Sequence, residues 1–303
     1  MAIDKLVDSA QLESDLTSVA DAIRAKTGGT ADLQFPADFV SEIGSISGGG
    51  GISVDDFADL SEPSGNVTIN GTQIGIHALR NRTAMTGISG PNVTSIGEYA
   101  LYYDSGLVSV DFPSLRTVGK GAFGYCSGLV TVSLPNLTDG GETMFNYCTN
   151  LVSVNLPKLE YIGNSGNYTF LGCSKLEGIV LPSFTGTLGN GIFRTCNALE
   201  YIDVYSPSKL NSPDNFGAST RLDTIIVRGN RVMALSAIAC MANTCFGDGK
   251  SGGTLYVPSS MISSYQSASN WSTILAYANN SIEAIEGSQY ENYYADGTPI
   301  PTT

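Results

Sequence analysis

The strongest constraint on the fold of this chain is a sequence repeat of 22 to 25 residues. One copy is GKGAFGYCSGLVTVSLPNL, residues 119–137, in which small and apolar residues hold fixed positions. A chain that repeats one short unit is predicted to fold as a stack of similar coils, each touching only its neighbours. The Phe position of the unit recurs at Leu79, Leu101, Phe123, Phe145, Phe170, Phe193 and Phe216.

Each copy continues with the pattern Leu-x-x-Val-x-Leu-Pro. In an extended segment alternate side chains point to opposite faces, so Val132 and Leu134 share one face and Thr131 and Ser133 share the other. Stacked coils bury their apolar faces against each other, at about 25 cal/mol per Å² of apolar surface. The proline cannot donate to a strand ladder and therefore ends the strand. The pattern predicts an α+β repeat solenoid of the leucine-rich repeat type, with about seven coils over residues 66–230.

The repeat divides the chain into five parts. We predict a helical segment over residues 1–47, a Gly-rich acidic linker over 48–65, the solenoid over 66–230, a C-terminal cap over 231–287 and a tail over 288–303. The cap is predicted because the register breaks and is followed by a strand, a Pro turn, a helix and a closing strand. The tail has too little apolar periodicity to fold alone.

Two short amphipathic helices are predicted before the linker, over residues 8–27 and after Pro36. They carry too little apolar surface for a core of their own. Their apolar faces either pack on each other or meet another subunit or a larger assembly, so attachment and homo-oligomerisation are expected here. The residues concerned are Leu12, Leu16, Val19, Ile23, Phe39, Val40 and Ile43.

Charge and hydropathy exclude several partners. The net charge of −13 argues against nucleic acid. Residues 1–62 contribute most of it, with 12 acidic and three basic side chains. No run approaches the roughly 18 apolar residues of a membrane span, so membrane insertion is not expected. The opening MAIDKLVDSAQLESD is polar and acidic, so no signal peptide is expected and folding in a reducing cytoplasm is predicted.

Four of the six cysteines recur in phase with the repeat. Each therefore occupies the same place in its coil, where a small thiol is commonly buried, and we predict a reduced ladder in preference to disulfides. Cys240 and Cys245 lie outside the register and lack a second ligand pair for a metal. The four cysteines in phase are Cys126, Cys148, Cys173 and Cys196.

The repeat units resemble a known family. The stretches IGEYALYYDSGLVSVDFPSL and VGKGAFGYCSGLVTVSLPNL resemble BspA-like bacterial leucine-rich repeats, over roughly residues 66–287. The stretch TLYVPSSMISSYQSASNWSTILAYANNSIEAI resembles the closing segment of that class. Arg82 and Asp104 depart from the pattern, because later coils have Cys at their position. The resemblance implies adhesion and recognition of proteins or glycans, without catalysis.

A second resemblance concerns the N-terminal stretch ADAIRAKTGGTADLQFPADFVSEIGSI, residues 20–46. It is similar to a segment of tailed-bacteriophage virion proteins that precedes variable distal modules. This resemblance implies a virion appendage, such as a tail fibre or receptor-binding protein, assembled in the host cytoplasm. Its partners would be other virion proteins through the N-terminal segment and a host-surface glycan or protein through the solenoid. The alternative is a bacterial surface adhesin or protein-interaction module.

No catalytic, cofactor-binding or metal-binding residues are predicted. The single histidine, His77, lacks partners at a spacing that would build a catalytic triad. The glycines recur with the coil and are interpreted as turn residues rather than a phosphate-binding loop. The sequence therefore favours a binding protein over an enzyme.

The candidate partner-binding surface is the strand face opposite the core, and a merely solvated sheet face is an equal alternative. Two tyrosine-rich stretches form a second possible contact surface, because tyrosine anchors interfaces at low entropic cost. They contain Tyr99, Tyr102 and Tyr103, and Tyr290, Tyr293 and Tyr294. The residues predicted on the strand face are Ser109, Asp111, Thr131, Ser133, Ser153, Asn155, Glu177, Tyr201, Asp203 and Thr224.

Overall fold

The computed structural model describes residues 64–163, 167–211 and 214–301. The predicted N-terminal helices, with the attachment residues from Leu12 to Ile43, lie outside the described residues, as does most of the predicted linker. The predictions about these segments therefore stay predictions.

The described residues fold into a parallel β-solenoid of about eight coils. Each regular coil contributes one longer strand and one two-residue strand, and these form two separate parallel sheets. The long-strand sheet is hydrogen-bonded in three blocks, β1-β3-β5, β7-β9 and β11-β13-β15-β17-β18. Its strands are β1 Gly65–Thr68, β3 Met85–Ser89, β5 Ser109–Asp111, β7 Thr131–Ser133, β9 Ser153–Asn155, β11 Gly178–Leu181, β13 Tyr201–Val204, β15 Thr224–Val227, β17 Thr254–Val257 and β18 Ser281–Ala284.

The short-strand sheet lies on another side of the same coils. It is paired as β2-β4-β6-β8-β10 and β12-β14-β16. The proline turn of each regular coil separates its long strand from its short strand. The short strands are β2 Gln73–Ile74, β4 Ser95–Ile96, β6 Thr117–Val118, β8 Asp139–Gly140, β10 Tyr161–Ile162, β12 Thr187–Leu188, β14 Lys209–Leu210 and β16 Ala234–Leu235.

The predicted solenoid is confirmed, and its sheet is longer than the repeat pattern indicated. Parallel pairing aligns Ile202 with Ile225, Ile225 with Leu255 and Leu255 with Ile282. Strands β17 and β18 thus continue the sheet within residues 231–287. The repeat pattern does not predict them as repeats, because the Phe-x-x-Cys turn is absent before them, although an apolar residue still fills the core position.

The core is built from columns of identical residues. The rings of Phe123, Phe145, Phe170, Phe193 and Phe216 are buried and stacked, with centroids 5.5 to 5.8 Å apart. Such aromatic pairs contribute about 0.5–1.5 kcal/mol each beyond the area they bury. The column therefore fixes each coil against the next.

The predicted cysteine ladder is also confirmed, because the four thiols are free and buried. Each donates a hydrogen bond to a carbonyl oxygen of the preceding coil, for example Cys148 to Phe123 at 3.1 Å. Ser219 extends the column by donating to Phe193 at 2.6 Å. At the other end Asp104 takes the cysteine position and is fully buried.

Helices are few in the described residues. Helix α1 spans Ile262–Ser267 and helix α2 spans Trp271–Leu275. The buried indole of Trp271 donates to the carbonyl oxygen of Met233 at 2.6 Å. These helices pack over the apolar interior beyond the last short strand.

Candidate functional site

Strand pairing arranges the outward residues of the long-strand sheet in rows along the solenoid. One row contains Thr131, which pairs with Ser153, and the next contains Ser133, which pairs with Asn155. In later coils Gly178 pairs with Tyr201 and Val180 pairs with Asp203. The regular coil therefore converts a sequence column into a continuous strip of surface.

The strip is open to solvent over strands β5, β7 and β9. All six outward side chains there are exposed, and Asn155 Nδ2 donates to Ser133 Oγ at 3.0 Å. Val108 and Val130, beside the first row, are 53% and 44% exposed. We call this surface the open face and include the exposed Glu177 before β11. Its polar residues are Ser109, Asp111, Thr131, Ser133, Ser153, Asn155 and Glu177.

Over strands β13, β15 and β17 the same strip is covered by the C-terminal tail. Asp203 does point outward, as the alternation predicts, but only 1% of its side chain is exposed. Ile226, the next residue in that row, is fully buried, and Thr224 is half-buried. The prediction that Asp203 is available on an exposed face is thus corrected, because residues 288–301 fold back onto it.

An ion pair lies beneath the tail. Arg228 donates from Nε and Nη2 to the two carboxylate oxygens of Asp203, at 2.7 and 2.6 Å. The amide of Ala295 donates to the same carboxylate at 2.9 Å. Burial raises the pKa of Asp203, and the hydrogen bonds and charge of Arg228 oppose that rise. The geometry is that of a buried, bidentate pair.

Tyr201 marks the boundary between the open and covered surfaces. Its ring lies over the α-carbon of Gly178 in the preceding coil, where any β-carbon would overlap the ring. Burial, followed by the nearby carboxylates of Asp296 and Glu177, raises the pKa of Tyr201 to about 12. The phenol therefore remains protonated and can donate a hydrogen bond at neutral pH.

A tyrosine ladder lies on the turn that follows each short strand. Tyr103 stacks on Tyr125 at 4.4 Å between ring centroids, and Tyr125 stacks on Tyr147 at 4.7 Å. Tyr102 packs edge-on against Tyr103 and Tyr125. The sequence identified Tyr102 and Tyr103 but missed the other two, although both lie two residues after the Phe column and are in phase with it.

The ladder tyrosines adopt left-handed backbone conformations. Tyr103, Tyr125 and Tyr147 have φ of 67, 60 and 56°. This region costs roughly 1–2 kcal/mol for a residue with a β-carbon. Gly172 occupies the equivalent place in the next coil, with φ of 77°. Glycine adopts this conformation without strain, whereas the tyrosines are strained. The stacking of their rings offsets that strain.

The described residues offer few groups for a catalytic or metal-binding site. They contain no group of three or more His, Cys, Asp or Glu side chains placed to hold a metal ion. The ring of His77 stacks on that of Tyr99, with centroids 5.5 Å apart. Within the same ranges, no helix has both the length and the apolar character needed to span a bilayer.

A parallel solenoid with a repeated Leu-x-x-Val-x-Leu strand and a buried Phe column defines a leucine-rich repeat protein. The family model described as "BspA type Leucine rich repeat region (6 copies)" matches residues 72–200 and 164–263. The chain belongs to this family.

Several solved leucine-rich repeat structures are similar to this chain. A leucine-rich repeat protein of T. pallidum is 24% identical, with 53% of this chain and 73% of that chain covered and a TM-score of 0.44. A leucine-rich cell surface protein from Faecalibacterium prausnitzii is 18% identical, with coverage of 78% and 91% and a TM-score of 0.35. A leucine-rich repeat protein from Bacteroides ovatus is 20% identical, with 63% of each chain covered and a TM-score of 0.36. A search of curated proteins finds no match.

Proposed function

We propose that this chain is a non-enzymatic interaction module that binds a cell-surface protein or glycan through its open face. One observation carries the proposal: six exposed, short polar side chains lie side by side on three neighbouring strands, on coils held by a continuous core. Membership of the BspA-type repeat family supports an interaction role. The open face is the surface that the tail leaves available.

The chemistry of the open face suits such a partner. Hydroxyl and amide groups of Thr131, Ser153 and Asn155 donate and accept hydrogen bonds, while Val108 and Val130 supply apolar contact. Short side chains lose little rotamer entropy on binding. The sheet beneath them is fixed by stacked coils, so little ordering cost is added when a partner docks.

Binding by the full-length protein tests the proposal. The labelled chain is applied to an array of cell-surface glycans and to immobilised cell-surface proteins, and the strongest binder is titrated with two variants. Thr131→Arg places a long side chain on the open face and is expected to weaken binding at least tenfold. Thr117→Arg changes the same exposed residue type on the short-strand sheet and serves as the control. Equal effects of the two variants would overturn the assignment of the open face.

The virion appendage is a second candidate, and its support is the phage-like stretch of residues 20–46. The family match begins at residue 72 and does not include that stretch. Mass spectrometry of purified phage particles from a host carrying the gene tests it, since a virion component co-purifies with capsid and tail proteins.

Association of copies through Leu16 and Phe39 is tested by the mass of the full-length protein in solution. A monomer would count against homo-oligomerisation.

A further inference from the structure

Side chains of the solenoid hold the tail mainly through main-chain atoms of the tail. Arg228 donates from Nη1 to the carbonyl oxygen of Tyr290 and from Nη2 to that of Tyr293, both at 2.9 Å. Asp203 accepts from the amide of Ala295. Two charged side chains thus satisfy three backbone groups within six residues. Such charge-assisted bonds are stronger than neutral ones, and they do not depend on which side chains the segment carries.

Two aromatic side chains add a sequence preference. The guanidinium carbon of Arg228 lies 5.0 Å from the ring centroid of Tyr294, a cation–π distance. The ring of Tyr290 packs edge-on against Tyr256 at 4.7 Å. Tyr293, between them, contributes its carbonyl oxygen and leaves 50% of its surface exposed. The site therefore favours a segment with aromatic residues at two positions four apart, as at Tyr290 and Tyr294.

The tail itself is lightly packed. No residue between 288 and 301 is buried, whereas Asp203 and Ile226 beneath it are. The tail begins after Gly287, whose φ of 82° turns the chain out of the last strand. Segments that bury little apolar surface open at low free-energy cost. The contacts are those of a ligand on a surface rather than those of another coil in the core.

We propose that the outward surface of β13, β15 and β17 is a peptide-binding site, with the chain's own tail as its resident occupant. The ligand class is a peptide that folds back on itself as the tail does, where Tyr293 pairs with Pro299 and the amide of Tyr294 donates to the carbonyl oxygen of Thr298. It carries aromatic residues at two positions four apart. Arg228 binds its carbonyl oxygens and Asp203 binds its amide. This site is separate from the open face and does not depend on the function proposed for it.

A tethered occupant masks the site from ligands in solution. A short connection holds the tail at an effective concentration on the order of millimolar, so a free peptide competes poorly until the connection is cut. The test uses the full chain with a protease recognition sequence inserted between Gly287 and Ser288. The folded protein is then cleaved, and binding of a fluorescent peptide with the sequence of residues 288–301 is followed by anisotropy.

Saturable binding to the cleaved protein is expected, with at least tenfold weaker binding to the uncleaved one. A peptide carrying both Tyr290→Ala and Tyr294→Ala is expected to bind at least tenfold more weakly. The Tyr293→Ala peptide is the matched control and should bind within threefold of the original. Changing the peptide leaves the solenoid intact, so misfolding does not confound the result.

Two protein variants add an independent readout. Arg228→Gln is expected to weaken the peptide at least tenfold, and Arg221→Gln, which alters an exposed arginine paired with Glu200, should not. Absence of saturable binding after cleavage, or equal binding of the doubly substituted peptide, would overturn the proposal. Neither result bears on the open face, which is tested on separate ligands.

Discussion

The thiol of Cys148 donates a hydrogen bond of 3.1 Å to the carbonyl oxygen of Phe123, one coil nearer the N-terminus. The same bond recurs at Cys126, Cys173 and Cys196, so each cysteine joins two coils through its side chain. Burial raises the pKa of these thiols well above the ordinary value. They are therefore structural donors rather than reactive groups.

Selective labelling follows from that burial. Cys245 is the partly exposed member of the six cysteines, so iodoacetamide should modify the native protein at Cys245 first and the four ladder thiols only after unfolding. Peptide mass spectrometry measures the sites. Cys245→Ser should remove the fast reaction. Rapid native labelling of Cys148, or disulfides between ladder cysteines, would contradict the buried thiol column.

We expect Asp104 to make the stability of the folded protein depend on pH. It fills the cysteine position of its coil. Burial raises its pKa to about 7, although the hydrogen bond from the Arg82 amide and the positive charge of Arg82 act to lower it. Its Oδ2 atom has no hydrogen-bond partner among the described residues. The folded protein therefore holds this proton more tightly than the unfolded chain, in which the pKa is about 3.9.

The contribution of protonated Asp104 to the free energy of unfolding is fully present below about pH 4 and is lost as the pH rises through 7. Between pH 5 and pH 8 we expect the free energy of unfolding to fall by roughly 2–3 kcal/mol relative to that of Asp104→Asn. Urea denaturation of both proteins across this range measures the difference. Parallel pH profiles would show that Asp104 does not titrate in the folded state.

Gly178 and Tyr201 form a coupled pair. Gly178→Ala places a methyl group against the ring of Tyr201, and overpacking of this kind costs about 1–3 kcal/mol. In a Tyr201→Ala background the same change should stabilise by about 0.4–1 kcal/mol, because alanine restricts the unfolded chain. A double-mutant cycle from denaturant melts measures the reversal of sign. Equal effects in both backgrounds would show that the ring does not pack on Gly178.

Two substitutions in the turn after the Phe column distinguish the cost of backbone strain from the gain of ring stacking. Ala218 has φ of 67° and is exposed, so Ala218→Gly relieves about 1–2 kcal/mol of strain and loses about 0.5–1 kcal/mol of backbone entropy. A small gain in stability is expected. Tyr125→Gly relieves similar strain but removes stacking on Tyr103 and Tyr147, about 0.5–1.5 kcal/mol each, together with the ring's apolar burial. It should destabilise, as thermal melting will show.

Much of the fold was predictable because its determinants are local and repeated. The columns of Phe123 and Leu129 fixed the period, and the alternation at Val132 fixed which strand face is buried. The structure confirmed the solenoid. It added β17 and β18 to the sheet, where Leu255 and Ile282 continue the core without the repeat's turn.

The candidate site was only partly predictable, since exposure depends on what lies over a surface. Alternation assigned Ser133 and Asp203 equivalent outward positions, yet one is exposed and the other is sealed by the tail. The covering contacts join Asp203 to Ala295, far along the chain, through main-chain atoms. Such contacts leave no apolar pattern in the tail sequence.

The sequence by itself determined the coil, its register and its core, because a repeated side chain must meet its copy in the next coil. Only the tertiary structure decided which part of the outward sheet is open and which is occupied. The physical reason lies at Arg228: its guanidinium binds carbonyl groups of the returning tail, and carbonyl groups are the same in every residue.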